Sequence, residues 1–309
     1  MAEFEKASTL ACSAEDLFDW HARDGAFERL IPPWRSIQIV SRKGGIETGA
    51  EIETRLRQFG MYRDWIARIE DCELGRGFRD TQVDGPFASW SHQHTFEEQG
   101  IDTCRLIDSI DYELPAGTLG RLVAGGYVKR ELNRLFRYRH AITKSDLSVW
   151  SRYRSQPRLR ILISGGYGFI GSRLTALLRA QGNEVRVLSR NPQEGDISWD
   201  PAMGSIDSAE LEGFDVVMHL AGKNLADGRW SEQGKCELWK SRVDAGYLLV
   251  EALKRVRNPP RVFVCASGVG FYGESGESVA SESTGRGEGF LAELCEAWEG
   301  VARAAEAFA

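Results

Sequence analysis

Hydrophobic and polar positions change their period along this chain, and the change divides it. From Ala50 to Arg57, Ala50, Ile52 and Leu56 alternate with Glu51, Glu53, Arg55 and Arg57, the period of two expected of a half-buried antiparallel strand. Similar runs cover Tyr62 to Glu70, Phe78 to Val83, Trp90 to Phe96 and Thr103 to Leu114, and Gly-containing breaks separate most of them, so a meander is predicted. Before it, a short strand at Phe4 to Leu10 leads to Ser13 with Asp16 three residues on, a helix-start signature, and two short helical pieces end at Pro32-Pro33. After it, Val128, Leu132, Leu135 and Phe136 form one stripe of a helix predicted from about Leu119 to Ala141. Lys144 to Pro157 has no period and reads as a linker, giving domains at 1–144 and 159–309 joined by residues 145–158.

Beyond the linker the pattern is that of alternating strand and helix. Arg160 to Ser164 is a nearly continuous apolar run, as in a strand buried on both faces of a parallel sheet. Ile170, Leu174, Leu177 and Leu178 then fall on one helix face, and Glu184 to Leu188 supplies a second strand. Between them stand Gly165, Gly168 and Gly171, three residues apart. The first permits a tight turn, the second lets a pyrophosphate approach the backbone, and the third lets the helix sit close to the strand. The helix N-terminus beside them makes an anion site. With Tyr167, Phe169 and Ile170, these residues resemble the glycine-rich loop, ending in Gly-Phe-Ile-Gly, of the extended short-chain dehydrogenase/reductase superfamily.

That resemblance implies a Rossmann-type α/β sheet and a nicotinamide cofactor. The run Phe214 to Gly222 resembles the superfamily's fourth strand, which would bring Leu220, Ala221 and Gly222 close to the cofactor, with His219 packed inside the strand. Where an NAD site usually places an acid for the ribose hydroxyls, the chain has Arg190, so NADP is expected, with NAD as the alternative. Ser267, with Tyr272 beyond it, stands where the superfamily carries its active-site Ser or Thr, although alignment on Tyr272-Gly273 puts Gly268 in that slot. The expected Tyr-x-x-x-Lys pair is missing. If Glu299 matches an acid found later in that helix, Leu291 and Cys295 fill the two positions. This departure, with the stretches SGVGFYG and FLAELCEAWE, resembles an atypical epimerase-like branch whose members are sometimes preceded by a cyclase-like domain. Only about 150 residues follow the linker, so the resemblance implies a domain cut short of its substrate-binding half.

The first domain's order of strand, two short helices, long meander and long helix resembles the helix-grip fold of polyketide-cyclase/dehydrase and START-like domains, in which an antiparallel sheet curls round the helix and leaves an apolar cavity. LIPPW (Leu30 to Trp34), DGPFASWSHQHTF (Asp84 to Phe96) and FRYRH (Phe136 to His140) add to the likeness. Trp90, His92, His94 and Phe96 share one strand face, and Asp108 shares a face with Cys104, Leu106, Ile110 and Tyr112. Lining the cavity, these groups would orient a polar part of a ligand or act as acid and base. On the convex side, the histidines would face solvent and Asp108 would mark a bulge or edge. No metal site is expected, because two histidines lack an apparent third ligand.

Composition narrows the function further. The 309 residues are 42% apolar and 27% charged, with a net charge of −6 that argues against general nucleic-acid binding. Basic residues outnumber Glu131 and Asp146 between Arg121 and Arg160, a pattern read as a solvated helix face and a charged linker. The start MAEFEKAS lacks a signal-peptide pattern and no apolar run reaches a membrane span, so a cytoplasmic protein with no membrane partner is expected. Six cysteines without a C-x-x-C pair read as reduced core thiols. The expected partner is a small-molecule substrate or apolar ligand. The alternatives are an epimerase-like oxidoreductase, a non-catalytic NADP-responsive module, and cyclase or dehydratase chemistry in the first domain.

Overall fold

The computed structural model describes residues 1–309 except Phe59, Ala116 and Ser275. It falls into two compact units, Met1–Pro157 with Arg179–Gly182, and Arg158–Leu178 with Asn183–Ala309. Among the described residues no helix is long and apolar enough to cross a membrane.

The first unit runs β1 (Ala2–Leu10), α1 (Ala14–Ala22), α2 (Ala26–Arg29), β2 (Ile37–Lys43), β3 (Glu51–Gln58), β4 (Met61–Glu73), β5 (Gly77–Asp84), β6 (Ser89–Gly100), β7 (Thr103–Glu113) and α3 (Gly117–Tyr153). Its seven strands, among the described residues, form one antiparallel sheet in the order β1-β7-β6-β5-β4-β3-β2. The Ser13 hydroxyl accepts from the Asp16 N–H at 3.0 Å and starts α1, as the spacing predicts. Alternation is strict on β6 and β7, where every second residue from Trp90 to Phe96 and from Cys104 to Tyr112 is buried. Against that face packs α3, with Leu132 and Phe136 meeting Phe4, Trp90, Ile110 and Tyr112. This is the helix-grip architecture. Strand β2 escaped the sequence reading because most of its residues are exposed and carry little apolar pattern.

The linker expectation needs correction. Residues 144–153 continue α3, and the buried stripe runs Phe136, His140, Thr143, Leu147, with Trp150 half-buried, at helical spacing. The pattern is hidden because polar residues occupy part of the stripe. Asp146, also buried, is held by two hydrogen bonds from Arg29 at 2.8 and 2.7 Å, a bidentate pair that makes its burial tolerable.

The second unit contains β8 (Arg160–Ser164), α4 (Phe169–Ala180), β9 (Glu184–Ser189), β10 (Ile197–Asp200), β11 (Ser205–Ile206), β12 (Val216–His219), α5 (Glu232–Trp239), α6 (Ala245–Leu253), β13 (Val262–Cys265) and α7 (Phe290–Ala305). A π-helical turn, Lys240–Asp244, joins α5 to α6. The sheet order is β11-β10-β9-β8-β12-β13, parallel except for the antiparallel β11. Counting β8, β9, β10, β12 and β13 as first to fifth gives 3-2-1-4-5, the doubly wound order of dinucleotide folds, with its reversal between β8 and β12. The apolar face expected on α4 is shifted. Ile170 is 69% exposed, and Gly171, Thr175, Ala176 and Ala180 are buried instead, because the third glycine and small residues let the helix lie close.

The helical reading of residues 144–153 makes a measurable difference. Leu147→Ala should destabilise the first unit by about 2–5 kcal/mol, the range for truncating a buried leucine, whereas a leucine in a solvated linker would cost almost nothing. Urea unfolding of parent and variant checks it.

Candidate functional site

Two groups of residues carry the chemistry, one in each unit. In the second unit, register brings the carboxyl ends of the strands into one row. Ser164 pairs with Leu188 on one side and His219 on the other, and His219 pairs with Cys265. Gly165, Arg190, Leu220 to Gly222 and Ser267 therefore all emerge at one edge of the sheet, where doubly wound folds bind ligands.

Gly165 has φ of 76°, and a Cβ there would come within 2.8 Å of the backbone of Leu220 and Ala221. A Cβ on Gly171 would lie 2.1 Å from the Gly165 carbonyl oxygen. Only glycine fits either position. Gly168 differs, since its Cβ would meet nothing nearer than that same oxygen at 3.1 Å. Its open side is the kind of cradle a pyrophosphate needs, at the N-terminus of a 12-residue helix. Phe169 and Ile170 are exposed beside it, Tyr167 donates its hydroxyl to Asp196 at 2.6 Å, and Arg190 is exposed just past β9.

Beneath the row, the buried Ser164 hydroxyl donates to His219 Nδ1 at 2.7 Å, and His219 Nε2–H donates to the Arg242 carbonyl at 3.1 Å. Both ring nitrogens are used inside the fold, and burial lowers the His219 pKa to about 4. Arg242, on the π-helical turn, was missed in the sequence. Its guanidinium packs 5.1 Å from the Trp298 ring centroid and donates to the Lys223 carbonyl at 2.8 Å. A Cβ on Gly222 would come within 2.9 Å of it, so a buried cation flanks Gly222.

Ser267 donates its hydroxyl to Glu299 Oε1 at 2.7 Å, tying the segment after β13 to α7. Leu291 and Cys295 both face that segment, since Cβ atoms on Gly270 and Gly268 would approach Leu291 Cβ and Cys295 Sγ to 3.0 and 3.7 Å. Burial raises the Cys295 thiol pKa and pushes that of Cys265 up to about 12, so neither is a thiolate near neutral pH. Tyr272 ends a short 3₁₀ turn, Val269–Tyr272, with its ring against Phe271.

In the first unit the inward faces of β5, β6 and β7 assemble a polar cluster inside the apolar core. His92, His94 and Asp108 are 3%, 8% and 3% exposed, which excludes the solvent-facing alternative. Asp108 Oδ1 lies 2.9 Å from His92 Nε2 and 2.7 Å from His94 Nδ1, the latter off the hydrogen-bond line. Asp108 Oδ2 lies 2.6 Å from His140 Nε2, and His140 Nδ1 lies 2.8 Å from the Ser8 hydroxyl. Across the rings stands Asp80, the cross-strand neighbour of His92, with Oδ2 3.2 Å from His92 Nδ1 and 3.5 Å from His94 Nε2.

Charge here is set by these neighbours. Burial alone would raise Asp108, yet His94, His140 and His92 outweigh it and hold the carboxyl well below the usual carboxylate range. Asp80 is likewise lowered, burial being outweighed by His92 and His94. Burial would lower His92, but Asp80 and Asp108 raise it to about 9. His21, on α1, falls to about 3, because burial, reinforced by the neighbouring His94, outweighs its hydrogen bond to the Leu17 carbonyl. Sequence reasoning found His92, His94 and Asp108 from strand alternation, and missed Asp80, His21 and His140. Four of the five histidines thus belong to the first unit, a concentration visible in the sequence.

Asp80, His92 and His94 form one wall of a cavity of about 420 Å³, whose other walls include Leu30, Ile52, Leu56, Trp65, Trp90 and Leu132; Asp108, expected in the cavity, stands behind the two histidines instead and does not line it. Arg139 also borders it, its guanidinium pKa lowered by burial against the opposing pull of Asp108 and Asp80.

A helix-grip unit with a buried polar wall and a doubly wound unit with a glycine cradle define the class of each half, and comparison with known proteins agrees. Residues 10–137 match the polyketide cyclase/dehydrase and lipid transport family, and residues 161–289 the NAD dependent epimerase/dehydratase family. The chain thus joins a START-like domain to a domain of the atypical epimerase-like branch. Epimerase family protein SDR39U1 of Mus musculus is 36% identical over 148 residues, 47% of this chain and 49% of that protein. The chain spans about half the length of the curated relatives it matches. A solved nucleoside-diphosphate sugar epimerase from Corynebacterium glutamicum is similar over 98% of this chain and 63% of its own, with 29% identity and a TM-score of 0.81. The human SDR39U1 (isoform2) structure with NADPH covers 47% of this chain and 49% of its own, at 36% identity and a TM-score of 0.43.

The His219 environment gives a pH dependence. Its folded pKa of about 4 lies below the ordinary value near 6.5, so between the two the unfolded chain binds the proton and the folded chain does not. This contribution is intact above about pH 6.5 and is lost as pH falls toward 4, by about 2–4 kcal/mol in all. His219→Gln should remove that part of the slope. A stability difference between parent and variant that stays constant from about pH 7 to 4.5, measured by urea unfolding, would show that His219 does not titrate there.

Proposed function

We propose that the second unit binds NADP as an epimerase-like oxidoreductase domain and that the first unit holds a small apolar ligand with a polar end. The observation that carries the cofactor reading is the Gly165 to Gly171 turn at the carboxyl-end row, with Gly168 left open. In this reading Gly165, Tyr167, Gly168, Phe169 and Ile170 hold the pyrophosphate, Leu220, Ala221 and Gly222 lie along the cofactor, and Arg190 meets the 2′-phosphate. Bound there, the cofactor would supply hydride transfer. NADP rather than NAD is supported by the guanidinium at the end of β9, and the human relative that is 36% identical over 148 residues was crystallised with NADPH.

The chain's own groups set limits on catalysis. Ser267, fixed by Glu299, and Tyr272 are the candidates for orienting a substrate hydroxyl or carbonyl. Leu291 and the protonated Cys295 offer no general base, and such assistance is typically worth 10² to 10⁴ in rate. This favours a second reading, in which the cofactor domain regulates ligand binding and turns over slowly or not at all. For the first unit, the cavity volume suits a small organic molecule, and His92 and His94, backed by Asp108, would receive its polar end.

NADPH should bind the chain and raise its melting temperature, with about 2.7 kcal/mol of stabilisation at 100 times Kd. Gly168→Val should abolish the shift, since the added side chain fills the cradle; because its Cβ would sit 3.1 Å from the Gly165 carbonyl oxygen, far-UV circular dichroism must show the variant folded. A chain whose melting temperature moves with neither NADPH nor NADH would overturn the dinucleotide reading.

Arg190→Ala should weaken NADPH by about tenfold or more, the scale of a charge-assisted contact, and leave NADH nearly unchanged. Titration of both cofactors by fluorescence checks it, and equal losses would remove Arg190 from phosphate recognition.

A further inference from the structure

The Asp80, His92 and His94 side chains are arranged about a common point. Their nearest donor atoms, Asp80 Oδ2 with His92 Nδ1 and His94 Nε2, are 3.2 and 3.5 Å apart, and one ligand atom from each residue lies within 4.8 Å of the others. A divalent ion with ligands at about 2.1 Å in tetrahedral directions separates neighbouring donors by about 3.4 Å. We propose that these three residues bind a zinc-type divalent cation at the inner wall of the cavity. Two imidazoles and one carboxylate form a donor set that suits such an ion. With three protein ligands, the fourth position opens into the cavity, as in metal sites that bind or activate a small molecule.

The surroundings support the assignment independently. Each histidine ring has one nitrogen toward Asp80 and the other toward Asp108 Oδ1, at 2.9 Å for His92 and 2.7 Å for His94. A carboxylate on the far nitrogen of a ligating histidine fixes its tautomer and strengthens the ligand. Asp108 serves both rings at once and is itself anchored through His140 to Ser8. His94 also stacks on Phe78, with centroids 4.1 Å apart, so the ring is held in place. The absence of a third ligand, on which the sequence reading excluded a metal, is made good by Asp80 from the neighbouring strand.

The site deepens the cavity reading by naming what would meet a ligand's polar end, and metal alone tests it without any organic ligand. The intact chain, stripped with a chelator, should take up one equivalent of Zn²⁺ by equilibrium dialysis, and Co²⁺ should give visible absorption bands of a tetrahedral site. His94→Gln and Asp80→Asn should each weaken Zn²⁺ at least 100-fold, Asp108→Asn by about 10- to 100-fold, and His219→Gln, in the second unit, should leave uptake unchanged. Far-UV circular dichroism of each variant separates lost ligation from lost folding. A folded parent chain that takes up neither ion at 100 µM overturns the proposal whatever the variants do, and so does uptake that His94→Gln and Asp80→Asn leave intact. Binding of the apolar probe 8-anilinonaphthalene-1-sulfonate to the metal-free chain reports the cavity separately, so a failed metal site and a failed ligand cavity give different results.

Discussion

An ionised carboxylate buried in an apolar core is the constraint around which the first unit is built. Asp108 sits on a strand face it shares with Cys104, Leu106, Ile110 and Tyr112, where an unpaired charge would not be tolerated. The fold answers with histidines drawn from two elements, His92 and His94 on β6 and His140 on α3. Those contacts fix the rotation of α3 against the sheet, because His140 lies on the same stripe as Phe136 and Leu147. They also align both β6 rings toward Asp80, so one buried charge organises the polar wall of the cavity.

In the second unit the corresponding constraint is close approach of backbone to backbone. Gly165 turns against Leu220 and Ala221, and Gly171 lies against Gly165, leaving no space for side chains at either contact. The same tightness keeps the helix start beside the carboxyl-end row and leaves Gly168 as the opening. His219 locks β12 to β8 through Ser164 and reaches Arg242 on the π-helical turn, so the floor of the crevice is a packed hydrogen-bonded layer rather than a catalytic one.

The two halves therefore concentrate their chemistry differently. The second unit has the glycine turn but lacks a Tyr-x-x-x-Lys pair in α7, where burial keeps the Cys295 thiol protonated. The helix-grip unit has the titratable groups, held at positions where proton transfer or ligation is geometrically available. A division of labour in which cofactor binding and acid–base capacity reside in separate units would explain why neither resembles a complete ordinary reductase site.

What the residues alone determined was whatever depends on local period. The alternation that puts His92, His94 and Asp108 on inward faces, the Ser13 cap, the glycine spacing and the missing Tyr-x-x-x-Lys pair are properties of short stretches, and the meander of the first unit, apart from its exposed strand β2, follows from the same alternation. What only the tertiary structure decided depends on pairing between distant strands and helices. Asp80 becomes a neighbour of His92 through the β5–β6 register, and His140 reaches Asp108 because α3 crosses the sheet. The same holds for the continuation of α3 through Tyr153, where Asp146 is buried by pairing with Arg29, more than a hundred positions away in sequence. A polar residue in a buried stripe breaks the pattern that sequence reading depends on, and only its distant partner explains why it is there.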